Sequence, residues 1–196
     1  MQLQFEELIG SLLANNVGIS NHFIPQDLSN QLRKNILALI GENALAAAKI
    51  GNDGKLVEDH RIRNDKIFWL DKSHDNLHEN DFLNLMGDFI SHLNMTCYAG
   101  ITKAEFHYSC FEKGNSYSKH LDQFRDNSSR KYSMISYLNE AWRAGDGGEL
   151  KVYHEDCAQE IEPTCGKTVF FKSNKLEHEV LITNVRRLSI AGWLKG

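Results

Sequence analysis

Leu28, Leu32, Ile36, Leu39 and Ile40 recur at the three- and four-residue spacing that lines up side chains on one face of a helix. The pattern predicts a helix from Gln26 to Ala48. Pro25-Gln26-Asp27 supplies its start, and Gly51-Asn52-Asp53-Gly54 predicts a break after it. Residues 62–69, "IRNDKIFW", read as a short strand or hairpin arm followed by a polar loop. Phe82, Leu85, Met86 and Phe89 form the apolar stripe of a second helix, from about Asp81 to His92.

From Lys103 onward the period changes. "KAEFHYSCF", "RKYSMISYLN", "GGELKVYHE", "GKTVFFKS", "LEHEVLI" and "RRLSIAGWLK" are short strand-like runs separated by Gly, Asn, Asp and Ser. Even spacing without helices between them predicts an antiparallel sandwich or jelly roll rather than a parallel sheet. The fold class expected is therefore α+β in one domain of 1–196. Residues 1–100 would give helical support and a short strand or hairpin arm, and 101–196 the jelly-roll core.

Composition narrows the function. A formal net charge of -4 provides no global positive field, so nucleic acid is not an expected partner. No apolar run approaches the roughly 18 to 20 residues that cross a bilayer, and Met1 to Glu7 lacks the basic start of a signal peptide. A cytoplasmic protein with no membrane partner is expected. Cys97, Cys110, Cys157 and Cys165 form no CxxC pair and are expected to be buried free thiols.

"KHLDQF" places His120 and Asp122 two apart, a spacing that points both side chains one way if the segment is extended. His154 and Asp156 repeat that spacing, so the pair alone decides nothing. His178, in "LEHEVLI", offers a third ligand. Two imidazoles and one carboxylate form the donor set of non-haem Fe(II) oxygenases, which leaves coordination positions open. His154-Glu155-Asp156 looks like a solvated turn and lies close to His178 in the chain, so the first pair is favoured. Arg187 could grip a dicarboxylate with two parallel hydrogen bonds, while Arg186 points to the opposite face. Tyr137 could add a phenol from a facing strand.

His120-Leu121-Asp122, His178 and Arg187, with "YLN" at 137–139, "GGEL" at 147–150 and "RRLSIAGW" at 186–193, resemble the Fe(II)- and 2-oxoglutarate-dependent oxygenases of the prolyl hydroxylase type. "IRNDKIFWL" at 62–70 is similar to the strand before the substrate loop of hypoxia-inducible-factor prolyl hydroxylases and their bacterial relatives. The resemblance implies a double-stranded β-helix core and Fe(II) on His120, Asp122 and His178. It also implies 2-oxoglutarate on Arg187 and Tyr137, and O2 as the second cosubstrate. It places Asp65, Arg63 and Arg130 against a protein substrate with an exposed proline loop, with Trp69 in support. The bacterial relatives point to elongation factor Tu. The family often carries a tyrosine nine residues before the first histidine; here that position is Phe111, with Tyr117 and Tyr108 as compensating candidates. Two rivals stay open: a non-catalytic cupin-like metal-binding module, and an oxygenase of the same type acting on a free amino acid or other small molecule.

Overall fold

Phe5, Leu8, Ile9 and Leu12 are buried on one face of helix α1 (Gln2–Asn15). Their i, i+3, i+4, i+7 spacing is a signal that the sequence analysis above passed over. The computed structural model describes residues 2–48, 62–123 and 127–196. Strand β1 (Gly18–Ser20) follows, then helix α2 (Gln26–Gly41), which is shorter than predicted. Beyond Gly41 the chain turns through Asn43, at φ 55°, and Ala46–Ala47 pair as a short edge strand, β2. The predicted break at 51–54 lies outside the described residues.

Strand β3 (Lys66–Trp69) leads through a single 3-10 turn to helix α3 (Leu77–Cys97). This helix extends past both predicted ends. Asn76 accepts from the backbone N–H groups of His78 and Glu79 at its start, and Tyr98 takes a left-handed conformation at its end.

The remaining strands are β4 (Lys103–Phe111), β5 (Tyr117–His120), β6 (Arg130–Tyr137), β7 (Leu150–Tyr153), β8 (Ala158–Ile161), β9 (Thr168–Lys172), β10 (Glu177–Val180) and β11 (Arg187–Lys195). They form a seven-stranded sheet in the order β1-β9-β6-β11-β4-β3-β2 and a four-stranded sheet in the order β5-β10-β7-β8. All pairs of neighbouring strands are antiparallel. This is the expected mixed architecture, a double-stranded β-helix with its helices on one side.

Strand alternation sorts the two faces of the large sheet. Phe106, Tyr108, Cys110, Met134, Phe170, Leu188, Ile190 and Leu194 belong to the apolar layer shared with the helices. Phe111, Tyr137, Val169 and Phe171 turn inward and meet Leu150, Val152 and Val180 of the small sheet. Between the sheets, one end of this second layer stays open, and the polar residues collect there. All four cysteines are free, but only Cys110 is buried; Cys97 and Cys157 are exposed and Cys165 is intermediate. No described helix is long and apolar enough to cross a membrane.

Candidate metal centre and cosubstrate pocket

Register places His120 directly opposite His178 on neighbouring strands of the small sheet. Asp122 does not share the strand with His120, as the spacing had suggested. β5 ends at His120, and the chain bends after the exposed Leu121. The bend brings the carboxylate back between the two rings. Its oxygens stand 3.5 Å from His120 Nε2 and 3.5 Å from His178 Nε2. One ligand atom from each of the three residues lies within 4.8 Å of the others, and they form the only such group of His, Cys, Asp or Glu among the described residues.

The protons on these rings are fixed by the backbone. His120 Nδ1 faces the Ser118 carbonyl at 2.7 Å and His178 Nδ1 faces the Leu176 carbonyl at 3.1 Å. A carbonyl only accepts, so both Nδ1 atoms carry the proton and both Nε2 lone pairs turn toward Asp122. Tyr117 stacks on His120 with centroids 3.7 Å apart, and Phe171 meets His178 edge-on at 4.8 Å. Burial pushes His178 down to about 4 despite the attraction of Asp122. Burial alone would raise the Asp122 carboxyl, but whenever the facing imidazoles carry a proton at Nε2 their charge holds it well below the usual carboxylate range. With their Nδ1 protons held on carbonyls, the two rings turn lone pairs toward a carboxylate, the donors a divalent metal needs. The donor set fits Fe(II).

Deeper in the pocket, Arg187 is 2% exposed. Its Nε donates to the Gly148 carbonyl at 2.7 Å and its Nη1 to Ser189 Oγ at 3.3 Å. Nη2 has no partner, and neither has the hydroxyl of the fully buried Tyr137. The guanidinium carbon sits 5.0 Å from the Tyr137 ring centroid and 5.2 Å from that of Phe111. Two orphaned polar groups at the end of a buried cleft fit the far carboxylate of a diacid such as 2-oxoglutarate. Tyr137 does not reach across from a facing strand. Its strand is hydrogen-bonded to that of Arg187, and it pairs with Ser189.

Gly148 makes room for the stem of Arg187, and Gly147 for the backbone that passes beside it. At Gly148, φ +76°, a Cβ would come within 2.8 Å of Arg187 Cδ; at Gly147, φ +70°, it would strike the Ile182 carbonyl. Phe111 lines the pocket as an apolar wall. Tyr117 is also in the lining, stacked on His120, whereas Tyr108 belongs to the helical layer.

The expected substrate residues divide. Arg63 and Asp65 line the same pocket, but they grip each other, at 2.6 and 3.0 Å. Burial opposes the charge on Asp65, yet Arg63 and Ser109 hold its carboxyl low. Arg130 packs over the Trp193 ring at 3.5 Å and reaches the Asp122 carbonyl at 3.2 Å. Trp69 is 46% exposed at the rim. The rival Asp156 is exposed in the turn after β7, away from the cluster. Sequence reasoning passed over His107, Ser109, Ser133 and Ser189, all in the lining. Alternation along β4 and β11 from Phe111 and Arg187 would have found three of them. Ser133, hydrogen-bonded to Ser173 at 2.8 Å, needed the sheet register.

A family model described as the 2OG-Fe(II) oxygenase superfamily matches residues 106–195. Among solved structures, a Pseudomonas putida prolyl-4-hydroxylase is 30% identical with a TM-score of 0.88, covering 98% of each chain. A prolyl hydroxylase from Trichoplax adhaerens, in complex with a hypoxia-inducible-factor oxygen degradation domain peptide, is 25% identical with a TM-score of 0.87. That match covers 99% of this chain and 92% of the other. A viral collagen prolyl hydroxylase from Paramecium Bursaria Chlorella virus-1 shares the fold, with a TM-score of 0.63 at 18% identity over 93% of this chain and 97% of its own.

Proposed function

Because the chain belongs to the 2OG-Fe(II) oxygenase superfamily, within its prolyl hydroxylase family, we propose that it hydroxylates a prolyl residue in a protein substrate. It is a dioxygenase that uses Fe(II), 2-oxoglutarate and O2. In our reading His120, Asp122 and His178 hold the iron, and Arg187 with Tyr137 holds the distal carboxylate of 2-oxoglutarate. Together these cofactors supply an oxidative decarboxylation, giving succinate and CO2, that is coupled to oxygen insertion into an unactivated C–H bond.

The protein's own part is positioning. The Nδ1–H groups of both histidines stay on backbone carbonyls, so their Nε2 lone pairs remain available. The Arg187 charge has no carboxylate partner among the described ion pairs, so a bound diacid would supply one. Phe111, Leu150 and Val180 exclude water around it. Asp65, Arg63 and Arg130 would shape the substrate end, with Trp69 at its edge. The proposed setting is the cytoplasm, with the whole chain acting as one domain.

One observation carries this reading: a two-histidine, one-carboxylate cluster faces a buried arginine and tyrosine that each keep an unpartnered polar atom. A cupin-like module that only held metal would have no use for those two atoms. Elongation factor Tu is the first substrate to test, on the resemblance to bacterial relatives. Incubated with the protein, Fe(II), 2-oxoglutarate and O2, it should gain one oxygen atom on a proline by peptide mass analysis. Brisk succinate release with no modified proline would direct the search to another substrate.

A further inference from the structure

His107 is used by none of the roles above, yet it lines the pocket at 1% exposure. It stands in a row of cross-strand partners, between Trp69 and Ala191. The Trp69 ring meets it at 4.9 Å and the Trp193 ring at 5.5 Å, so the plane of the imidazole is fixed. Its Nε2 lies 3.4 Å from Arg63 Nη2. A guanidinium has donors only, so Nε2 must accept and the proton must sit on Nδ1. That Nδ1 is buried and has no partner. A buried donor without an acceptor is costly enough to need an explanation, and here it lies in the wall of a substrate cleft.

The surroundings say what kind of acceptor fits. Burial, reinforced by the Arg63 charge, pushes His107 down to about 3, so the ring is neutral. Arg63 is matched by Asp65, which also accepts from Ser109 Oγ at 2.6 Å. Arg130 lies over the Trp193 ring and shares Glu105, at 3.5 Å, with Lys195, at 2.6 Å. The guanidinium nearest His107 is thus neutralised by its own carboxylate, and the ring offers an incoming group a neutral N–H donor. A carboxylate set against this ring would lose its water for a single neutral donor, whereas an amide carbonyl is satisfied by one.

We infer that His107 reads the substrate: its Nδ1–H donates to a backbone carbonyl beside the target proline and so selects peptide-bound proline over the free amino acid. This rests on the prolyl reading above and makes its substrate class definite. A site built around a buried donor rejects ligands that cannot satisfy it.

The test uses protein loaded with zinc(II), which is diamagnetic and redox-silent, and with 2-oxoglutarate. Nitrogen-15 histidine NMR should show His107 as the Nδ1–H tautomer. Its proton should shift on adding N-acetyl-L-prolinamide and stay in place with L-proline. An Nε2–H tautomer, an equal response to both probes, or no response to either would overturn the inference. A proline-centred peptide array, assayed with the iron enzyme, tests the prolyl reading separately; if no peptide gains oxygen, that reading fails while the NMR result still decides the role of the ring. On a hydroxylated peptide, His107→Phe should raise KM by about 10-fold, and His107→Asn, which restores a donor near the Nδ1 position, should recover most of it. Equal KM values for His107→Phe and the native protein would overturn the inference.

Discussion

His120, Asp122, His178 and Arg187 were legible in the sequence because their chemistry has few substitutes: iron wants neutral nitrogen and anionic oxygen, and a diacid wants a planar cation. What could not be read was how the backbone sets them. The Nδ1 hydrogen bonds to the Ser118 and Leu176 carbonyls and the bend that returns Asp122 exist only after folding. Tyr137 was expected on a facing strand, whereas its strand neighbours that of the arginine. Arg187→Lys isolates the geometry. The lysine keeps a positive charge but loses both the Nε anchor on Gly148 and the free Nη2. The KM for 2-oxoglutarate should rise by about 10- to 100-fold, with a smaller change in kcat under saturating cosubstrate. Steady-state succinate release at varied 2-oxoglutarate measures both, and an unchanged KM would move the anchor to another residue.

Helices α2 and α3 were found by their period but not their ends, and α1 was missed despite a period of the same kind. β4 was bounded as observed, Lys103–Phe111, because the large residues along it pack on one face or the other. β8, Ala158–Ile161, has only its last residue buried, so no alternation marks it. α2 was drawn too long because Ala46 and Ala47 suit a helix, whereas pairing with Ile67 and Lys66 holds them extended. The loop before β7 shows how an element's end can govern the site. Gly148 occupies a left-handed conformation with the Arg187 side chain against the place a Cβ would take. Gly148→Ala should therefore cost about 1 to 3 kcal/mol of stability through backbone strain. It should also weaken 2-oxoglutarate binding, because the arginine stem must shift. Urea melts and cosubstrate titration of the same variant check the two effects. Loss of stability with unaltered binding would mean that Arg187 adjusts without consequence.

At the scale of the whole molecule, the cleft is a store of groups whose protonation differs from that of the unfolded chain. His107 and His178 are held neutral, down to about 3 and about 4, against about 6.5 when unfolded. Below pH 6.5 the unfolded chain takes up protons that the native state refuses, so stability is lost as pH falls through this window. Each histidine contributes a slope of up to about 1.4 kcal/mol per pH unit. Asp65 and Asp122 are displaced downward, so the stability they add is present above about pH 4 and is lost only in stronger acid. Between pH 6.5 and 4 the histidines dominate. Metal-free protein should accordingly show a falling urea midpoint from pH 7 to pH 5, and His107→Phe should shallow that fall. Fe(II) added anaerobically at pH 7 should raise the midpoint, since the three ligands come together only in the native state, and a chelator should reverse the gain. A midpoint indifferent to both acid and chelator would mean that these imidazoles are neither held neutral nor gathered around an ion.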